Sequence, residues 1–452
     1  MKRLFSILLA GLMLLGLAAC GQGAGESAPA QSGGSGGTVE VSWWTNYGAL
    51  NVEYIQEIID AFNESQDKYH VTIERQGGAT ELKAKLRATK AENLPAMFSG
   101  TPATTSLYAN SEFTACFQDF IDADQDKWTE DLFPNIRTGY SDETGRMWGY
   151  PFGVSCTGIW INEDVLAQAG YEVSELTSFE KVVEAAIAVK TGGHAAYGLG
   201  FHKDGTYLND MLTMQGIDLV DEGNGYAGLA SACLYEEGDT NQALKKVLEL
   251  YSQLYGAGAA VVYGTDVNGE IIPQFAAGNI AMFYGTNSYA GKLLESNCKF
   301  KYSFIPSVGV DDQATAQGVI TAGTGNYISS GASPEAQQGA YEFIKFASQP
   351  QWQAFWCQST GYIPYTSACA EYEEYGVWME ENFPSAALLS QRLLESDTAL
   401  RGPYVSVATD MANANVLMIE TVCADPSADI DTVIKTAAES INEAIEISNL
   451  SR

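Results

Sequence analysis

The chain has 452 residues, 46% hydrophobic and 11% aromatic, which is long enough for two or more domains around a large core. Its formal net charge of −32 argues against nucleic acid as a partner, because phosphate binding requires clustered Lys and Arg. Only three histidines are present and none of the eight cysteines forms a C-x-x-C pair, so we expect no metal site and no cofactor.

The N-terminal residues have the pattern of an export signal followed by a tether. Two basic residues precede an uncharged apolar run over 4–19, which is short for a membrane span. The run ends in LAACG, which resembles the lipobox at which bacterial lipoproteins are cleaved and acylated. We therefore expect a signal peptide over 1–19 and a lipid anchor at Cys20; an ordinary signal peptide with a chance cysteine is the alternative. Residues 21–37 predict a flexible tether with a reach of roughly 20–25 Å.

The body from Thr38 onward alternates predicted strands and helices. Apolar and polar residues alternate over 38–44, which indicates a strand, and apolar residues recur at helical spacing over 51–65. Similar patterns predict strands over 71–75, 94–99 and 158–162, and helices over 82–90, 165–169, 178–189, 241–255, 334–347, 350–356 and 429–447. This alternation predicts an α/β fold with a largely parallel sheet. Since no long linker divides the body, we expect the chain to pass back and forth between two lobes.

Three sequence patterns approach known phosphate or metal motifs but depart from them at essential positions. Residues 223–228 fit G-x-G-x-x-G but follow acidic residues and do not open a clear helix, so a loop is predicted there. Residues 285–292 lack the spacing and the hydroxyl of a P-loop, and the acidic run from Asp122 lacks the glycine and glutamate of an EF-hand. With 56 acidic residues, no carboxylate pair is singled out for glycoside hydrolysis. We predict a protein that is not an enzyme; a surface enzyme acting on glycans remains an alternative.

Aromatic residues concentrate at strand ends and beside glycines rather than in helical stripes. Their faces, with nearby Asn, Ser and Thr, suit sugars, whose C–H faces stack and whose hydroxyls form hydrogen bonds. We select Trp44, Tyr47 and Phe201 as candidate ligand contacts. Tyr362 is a further candidate because it follows a glycine and precedes Ile-Pro, which predicts a rigid turn.

Several stretches resemble one known family when taken in order. The segment FAAGNIAMFYGTNS from Phe275, the segment AYEFIKF from Ala340 and the following TGYIP, with the opening VSWW, are similar to family 1 extracellular solute-binding proteins of ABC importers. The resemblance spans nearly all of 38–452. Within the family it is greatest to the glycerol-3-phosphate-binding members.

That resemblance implies a set of ligand contacts in this chain, some kept and some lost. The implied contacts that are kept are Tyr362, Ser155, the Thr286-Asn287-Ser288 segment, Gly323 and Phe201. The expected acidic residue falls at Thr101-Pro102, and the expected phosphate-binding arginine falls near Tyr404, with Arg401 as its substitute. Loss of a bidentate phosphate donor favours a neutral sugar or polyol over a phosphate ligand. Glycerol-3-phosphate or a glycerophosphodiester is the alternative.

The family implies two α/β lobes with the ligand bound between them, closing by a hinge and docking on an ABC permease. We expect one lobe to comprise 38–152 and 270–322, and the other 153–269 and 323–452, with crossings near Gly153, Gly269 and Gly323. The protein is expected to act as a monomer on the outer face of the cell membrane.

Overall fold

The computed structural model of the chain describes residues 37–264, 266–312, 318–396 and 400–450. The predicted signal peptide, Cys20 and all but the last residue of the predicted tether lie outside the described residues. Among the helices of the described ranges, none is long and apolar enough to cross a membrane.

The strands of the described chain number ten, and they match each strand predicted from the sequence. They are β1 (Val39–Thr45), β2 (Tyr69–Arg75), β3 (Met97–Gly100), β4 (Gly149–Ser155), β5 (Thr157–Asn162), β6 (Tyr197–His202), β7 (Ala260–Tyr263), β8 (Ile280–Thr286), β9 (Tyr302–Pro306) and β10 (Ala322–Ile328).

The α-helices of the described chain include all those predicted from apolar spacing, with small shifts at their ends. They are α1 (Ala49–Ser65), α2 (Ala79–Ala88), α3 (Thr105–Ala109), α4 (Phe117–Ala123), α5 (Pro134–Gly139), α6 (Glu163–Gln168), α7 (Phe179–Gly192), α8 (Thr206–Thr213), α9 (Asp221–Gly225), α10 (Gly238–Gly256), α11 (Ile271–Ala276), α12 (Ala290–Ser296), α13 (Pro334–Ala347), α14 (Pro350–Thr360), α15 (Ser367–Ala370), α16 (Glu373–Asn382), α17 (Ser385–Glu395), α18 (Ala408–Ala424) and α19 (Ile430–Leu450).

Local chemistry accounts for several of the helix ends. The Ser333 hydroxyl accepts a hydrogen bond from the Ala336 amide at 3.2 Å, and proline follows at the first helical position of α13. Helix α14 ends at Gly361, whose φ of +86° suits a residue without a Cβ atom. This glycine turns the chain directly into the segment that carries Tyr362.

The strands form two five-stranded sheets in the orders β2-β1-β3-β10-β4 and β7-β6-β8-β5-β9. Both sheets are mixed, which corrects the expected largely parallel arrangement. In the first sheet β10 runs antiparallel to both β3 and β4, and in the second sheet β5 runs antiparallel to both β8 and β9. The antiparallel strands arise where the chain crosses between sheets and returns in the opposite direction.

Strand pairing also corrects the expected lobe boundaries. We call the first lobe the elements on the first sheet, and the second lobe those on the second. Strands β8 and β9, expected in the first lobe, pair with β5, and β10, expected in the second, lies between β3 and β4. Helix α13 packs on β1, β2 and β10, so it also belongs to the first lobe. Helices α18 and α19 pack on α10 in the second lobe.

The chain crosses between the sheets at three places in the described residues. Only Cys156 separates β4 from β5, and the described residues between β9 and β10 are 307–312 and 318–321. The third crossing runs through α16, α17 and 400–407 to α18. The expected crossing near Gly269 is wrong, because this residue lies between β7 and α11, and α11 packs on β8 and β6 of the second sheet.

Candidate functional site

In each sheet, several strands end at the edge where the chain crosses to the other sheet. In the first sheet, β1, β3 and β4 end at this edge and β10 begins there, which places Tyr47, Thr101 and Thr324 together. In the second sheet, β6 and β8 end and β5 begins, which places His202, Thr286 and Thr157 together. In α/β proteins such strand ends commonly form the ligand cleft.

Tyr362 lies at the centre of the first-lobe edge and is 9% exposed. Its ring stacks on Trp356, with centroids 5.6 Å apart, and meets the Tyr47 ring edge-on at 6.5 Å. Burial raises the pKa of Tyr362 to about 12, and hydrogen bonds with the Ser288 and Thr324 side chains act in the opposite direction. The phenol therefore stays protonated near neutral pH and can donate as well as accept.

The hydroxyl of Tyr362 belongs to a chain of polar contacts that joins the two lobes. Ser288 Oγ lies 2.7 Å from Thr286 Oγ1 at the end of β8, so this pair connects Tyr362 to the second sheet. On the other side, Tyr47 donates to the Thr324 carbonyl at 3.4 Å. The structure thus brings together four of the predicted site residues: Tyr47, Tyr362, Thr286 and Ser288.

The contact chain continues into the second lobe through side chains that the sequence reasoning did not select. Tyr289 hydrogen-bonds with Thr286 and with Tyr207. The Tyr207 hydroxyl lies 2.8 Å from His202 Nε2, and His202 lies 4.0 Å from the Asp204 carboxylate. Burial lowers the pKa of His202, while Asp204 opposes this effect, so the imidazole is neutral at pH 7. This part of the edge therefore presents a neutral imidazole and hydroxyls.

Asn287, a predicted ligand contact, instead forms hydrogen bonds that stabilise the crossing between the lobes. It is fully buried. Its Oδ1 accepts a hydrogen bond from the Cys156 amide at 2.7 Å, and its Nδ2 donates to the Gly361 carbonyl at 2.8 Å. The side chain therefore links the β4–β5 crossing to the Tyr362 turn and has no surface left for a ligand.

Gly323 and Ser155 lie on the paired strands β10 and β4 at the same edge, where Gly323 is opposite Val154 and Ser155 is opposite Ala322. Gly323 has a φ of +107°, and a Cβ atom there would lie 2.0 Å from the Gly153 carbonyl oxygen. Ser155 is buried and ends β4 beside Ala322. A Cβ atom at Gly153 would in turn meet the Tyr47 hydroxyl and the Tyr362 ring at 2.9–3.0 Å. Gly153 therefore allows the Tyr47 and Tyr362 side chains to lie directly on the strand end, and Gly323 allows close approach of the two backbones.

Arg401 and Tyr404 lie together on the third crossing, held by an unusual turn of the second lobe. Residues 222–225, which make up most of the short element α9, all have positive φ and therefore form a left-handed turn and not a right-handed helix; they include the non-glycine residues Glu222 and Asn224. The Asn224 carbonyl accepts from the Tyr404 amide at 2.9 Å, and Asn224 Nδ2 donates to the Arg401 carbonyl at 3.2 Å. Left-handed backbone of this kind is costly outside glycine, so the surrounding contacts must hold it.

The side chains of this segment stack on one another. The Arg401 guanidinium carbon lies 3.4 Å from the centroid of the Tyr226 ring, and the Tyr226 and Tyr404 rings lie 5.1 Å apart. Burial raises the pKa of Tyr404, nearby Glu143 and Asp142 add to the increase, and the first-lobe Ser106 hydroxyl opposes it. Tyr404 therefore reaches from the crossing to the first lobe. The segment 223–228, which the sequence predicts as a loop, contributes the turn whose Asn224 carbonyl accepts the hydrogen bond from the Tyr404 amide.

Two predicted contacts lie away from these groups. Phe201 is 5% exposed and packs between Tyr251 and Tyr284 in the second-lobe core, so its assignment as a ligand contact is wrong. Trp44 lies within β1, half-buried, with Lys85 Nζ 3.9 Å from its ring centroid. It packs against α2 and not with the Tyr362 group.

A further contact between the lobes occurs at a small cavity beside this edge. Its volume is about 60 Å³, and its lining includes Asn46, Thr101 and Tyr108 of the first lobe and Thr409 of the second. Lys83 Nζ donates to Thr409 Oγ1 at 2.9 Å, which ties α2 to α18. The lobes are therefore in contact in this conformation.

Comparisons with known proteins agree with this geometry. Residues 57–384 match the sequence profile of bacterial extracellular solute-binding proteins. The sn-glycerol-3-phosphate-binding periplasmic protein UgpB of Yersinia pestis is 24% identical over 416 residues, covering 89% of this chain and 90% of that protein. The counterpart from Rhizobium meliloti is 25% identical over 428 residues, covering 90% of this chain and 94% of that protein.

Solved structures show the same fold. UgpB from Mycobacterium tuberculosis in complex with glycerophosphocholine has a TM-score of 0.74 at 18% identity, covering 92% of this chain and 100% of that chain. The GacH receptor of Streptomyces glaucescens was solved in the unliganded form and in complex with acarbose. It has a TM-score of 0.72 at 16% identity, covering 90% of this chain and 99% of that chain. From the extent of the profile match, the chain belongs to the bacterial extracellular solute-binding proteins.

Proposed function

We propose that this chain is a lipid-anchored binding protein that captures a small polyhydroxylated solute between its lobes and delivers it to an ABC permease. The observation that carries the proposal is the polar contact chain in which Tyr362 of the first lobe meets Ser288 and Thr286 of the second. Hydroxyl groups of a ligand can form hydrogen bonds with these side-chain hydroxyls, and the aromatic rings provide apolar faces on which the ligand can stack. Because both lobes contribute, closure of the lobes completes the site.

A neutral sugar or polyol is the first ligand class that we propose. The chain has a formal charge of −32, which disfavours long-range attraction of anions. The second-lobe edge adds Asp204 beside a neutral His202 rather than a cation. The test is calorimetry of the body against maltose, ribitol, glycerol-3-phosphate and glycerophosphocholine. Saturable binding of a neutral compound supports this class, and binding restricted to the phosphates contradicts it.

A glycerophosphodiester is the second candidate, and the position of Arg401 favours it. Its guanidinium is stacked flat on Tyr226, and its Nε is buried without a hydrogen-bond partner in the described residues. An arginine held in this way presents donors with little further loss of side-chain entropy. For a phosphate ligand, Arg401→Ala abolishes binding and added salt weakens it; for a neutral ligand, salt has almost no effect.

The lipid anchor is proposed from the sequence pattern at Cys20. Replacement Cys20→Ser should release the body into the medium with its ligand affinity intact, because the site lies beyond the tether. Retention of the Cys20→Ser protein at the membrane would overturn the lipidation proposal and leave the binding proposal standing.

A further inference from the structure

A second polar cluster lies at the second-lobe edge, apart from the Tyr362 group. Tyr284 hydrogen-bonds through its hydroxyl with Ser307 Oγ. Ser307 Oγ lies 3.1 Å from Thr157 Oγ1, and the Thr157 side chain hydrogen-bonds with the carboxyl group of Asp210. These four residues come from β8, the end of β9, the start of β5 and α8, so separate segments converge on one carboxyl group.

This cluster lies where the chain crosses between the lobes. Thr157 directly follows Cys156, the residue between the two sheets. At the end of α8, Met214 packs with Ile320 and Leu400, which belong to the other two crossing segments. Thr157, Ser307 and Tyr284 are buried, whereas Asp210 retains part of its surface. Asp210 is therefore the one member of the cluster that is not fully enclosed as a residue, although its carboxyl group is surrounded closely enough for burial to shift its pKa.

The surroundings of Asp210 favour its uncharged form. Burial raises the pKa of this carboxyl to about 8, the charge of Asp204 adds to the increase, and the hydrogen bond with Thr157 opposes it. Cys156 and Tyr284 also face the group, and burial raises the pKa of each further above its ordinary value, so both are uncharged at neutral pH. At neutral pH the carboxyl thus has one O–H donor and free acceptor sites, the same pairing that a ligand hydroxyl offers.

We propose that Asp210 is a ligand-contacting residue of the second lobe whose carboxyl group, at the junction where β5, β8, β9 and α8 converge, binds a hydroxyl group of the solute. This inference rests on the proposed function and names one of its specificity contacts. It applies equally to a sugar, a polyol or the glycerol moiety of a glycerophosphodiester. A protonated carboxyl group does not repel a phosphate, and it can both donate a hydrogen bond to a ligand hydroxyl and accept one from it.

The test compares Asp210→Asn with Asp210→Ala, using whichever of maltose, ribitol and glycerophosphocholine binds the unmodified protein most tightly. The amide has the shape of the protonated acid and keeps a donor and an acceptor, so Asp210→Asn should bind within about threefold at pH 6.5. Asp210→Ala should bind roughly tenfold more weakly. Asp218→Asn is the matched control, since Asp218 is exposed eight residues further on, and its affinity should not change.

The pH dependence supplies a second readout. Between pH 6.5 and 9.5 the unmodified protein should lose roughly tenfold or more in affinity as Asp210 ionises, while Asp210→Asn should stay constant. Unchanged affinity in Asp210→Ala, or tighter binding at pH 9.5, overturns the inference while the proposed function stands. Failure of the unmodified protein to bind any of the three probes overturns both. Circular dichroism of each variant excludes misfolding as the cause of lost affinity.

Discussion

The rings of Tyr362 and Trp356 lie nearly parallel, with centroids 5.6 Å apart and an angle of 12° between their planes. Trp356 comes from the last turns of α14, and Gly361 reverses the chain so that Tyr362 folds back onto it. The stacked pair presents the Tyr362 hydroxyl to Ser288 and Thr324. One short segment therefore supplies both an apolar face and the polar link between the lobes.

Tyr362→Phe should distinguish the contribution of the hydroxyl from the contribution of the aromatic ring. It keeps the stack on Trp356 but removes the hydrogen bonds with Ser288 and Thr324, so the free energy of unfolding should fall by about 0.5–1.5 kcal/mol, and affinity should fall by a similar amount where the hydroxyl also contacts the ligand. Tyr362→Ala should weaken binding by about 1–3 kcal/mol and also lower the free energy of unfolding, because the buried ring is lost. Calorimetry and urea denaturation without ligand measure the two effects. Equal affinity in the Phe variant would contradict a role for the hydroxyl.

Gly323→Ala should be strongly destabilising. A Cβ atom at this position would lie 2.0 Å from the Gly153 carbonyl oxygen at a φ of +107°. Gly278→Ala is the matched control, because Gly278 has a φ of +74° but open space around its Cβ position. The control should lose about 1 kcal/mol from backbone strain, and Gly323→Ala should lose at least about 1–2 kcal/mol more. Urea denaturation compares them, and equal losses would show that the strand contact relaxes.

Asn224→Ala should loosen the segment that carries Arg401 and Tyr404. The variant removes the hydrogen bonds from Asn224 to the Arg401 carbonyl and from the Leu219 amide, while a positive φ must be kept. We expect a loss of about 2–4 kcal/mol in the free energy of unfolding. Asn297→Ala, at an exposed left-handed position, should lose about 1 kcal/mol. A similar loss in both variants would mean that the buried hydrogen bonds contribute little.

Ligand binding should make the protein more compact and more stable. The contact between Lys83 and Thr409 already joins the lobes in this conformation, so a ligand that binds between them should favour this closed form and give a smaller radius of gyration in small-angle scattering than the ligand-free protein has. Ligand at about 100 times its dissociation constant should stabilise the fold by roughly 2.7 kcal/mol. Lys83→Met should weaken binding by a few-fold at most, since exposed polar pairs contribute about 0.2–1 kcal/mol. An unchanged radius of gyration at saturation would argue against hinge closure.

The ion pair between Asp124 and Lys345 should make stability fall in acid. Burial would raise the pKa of Asp124, but hydrogen bonds from Lys345, the Asp126 amide and Tyr341 outweigh it and lower the pKa to about 2. A lowered pKa contributes stability above about pH 4, which is lost as the pH falls through 2. Lys345→Met should therefore lose about 1 kcal/mol at pH 7 and show a weaker acid dependence.

Lys127→Met provides the control for this pair. Lys127 and Glu130 form an ion pair in which both side chains are mainly exposed, at 78% and 66%. Such a pair is screened by water, so denaturation curves of this variant should match those of the unmodified protein at every pH. An acid dependence in Lys345→Met identical to that of the unmodified protein would place the acid sensitivity elsewhere.

Eight of the helices and the Tyr362 turn could be predicted from the sequence because their signals are local, whereas most of the shorter helices were not predicted. Apolar spacing identifies α1 and α19, and Ser333 followed by proline identifies the start of α13. The glycine before Tyr362 and the Ile-Pro after it similarly indicated a rigid turn. Each of these features depends on residues within a few turns of one another, so no knowledge of distant contacts was needed.

The sheet order, the lobe boundaries and much of the site were decided only by the tertiary structure. Strand β10 inserts between β3 and β4, which lie more than 150 residues earlier in the chain, and no local pattern reports such a pairing. Phe201 and Asp210 illustrate the same limit: the aromatic residue lies in the core, and one acid among 56 lies at the junction of the lobes. A site between two lobes is assembled from segments far apart in sequence, so only their packing determines which side chains reach it.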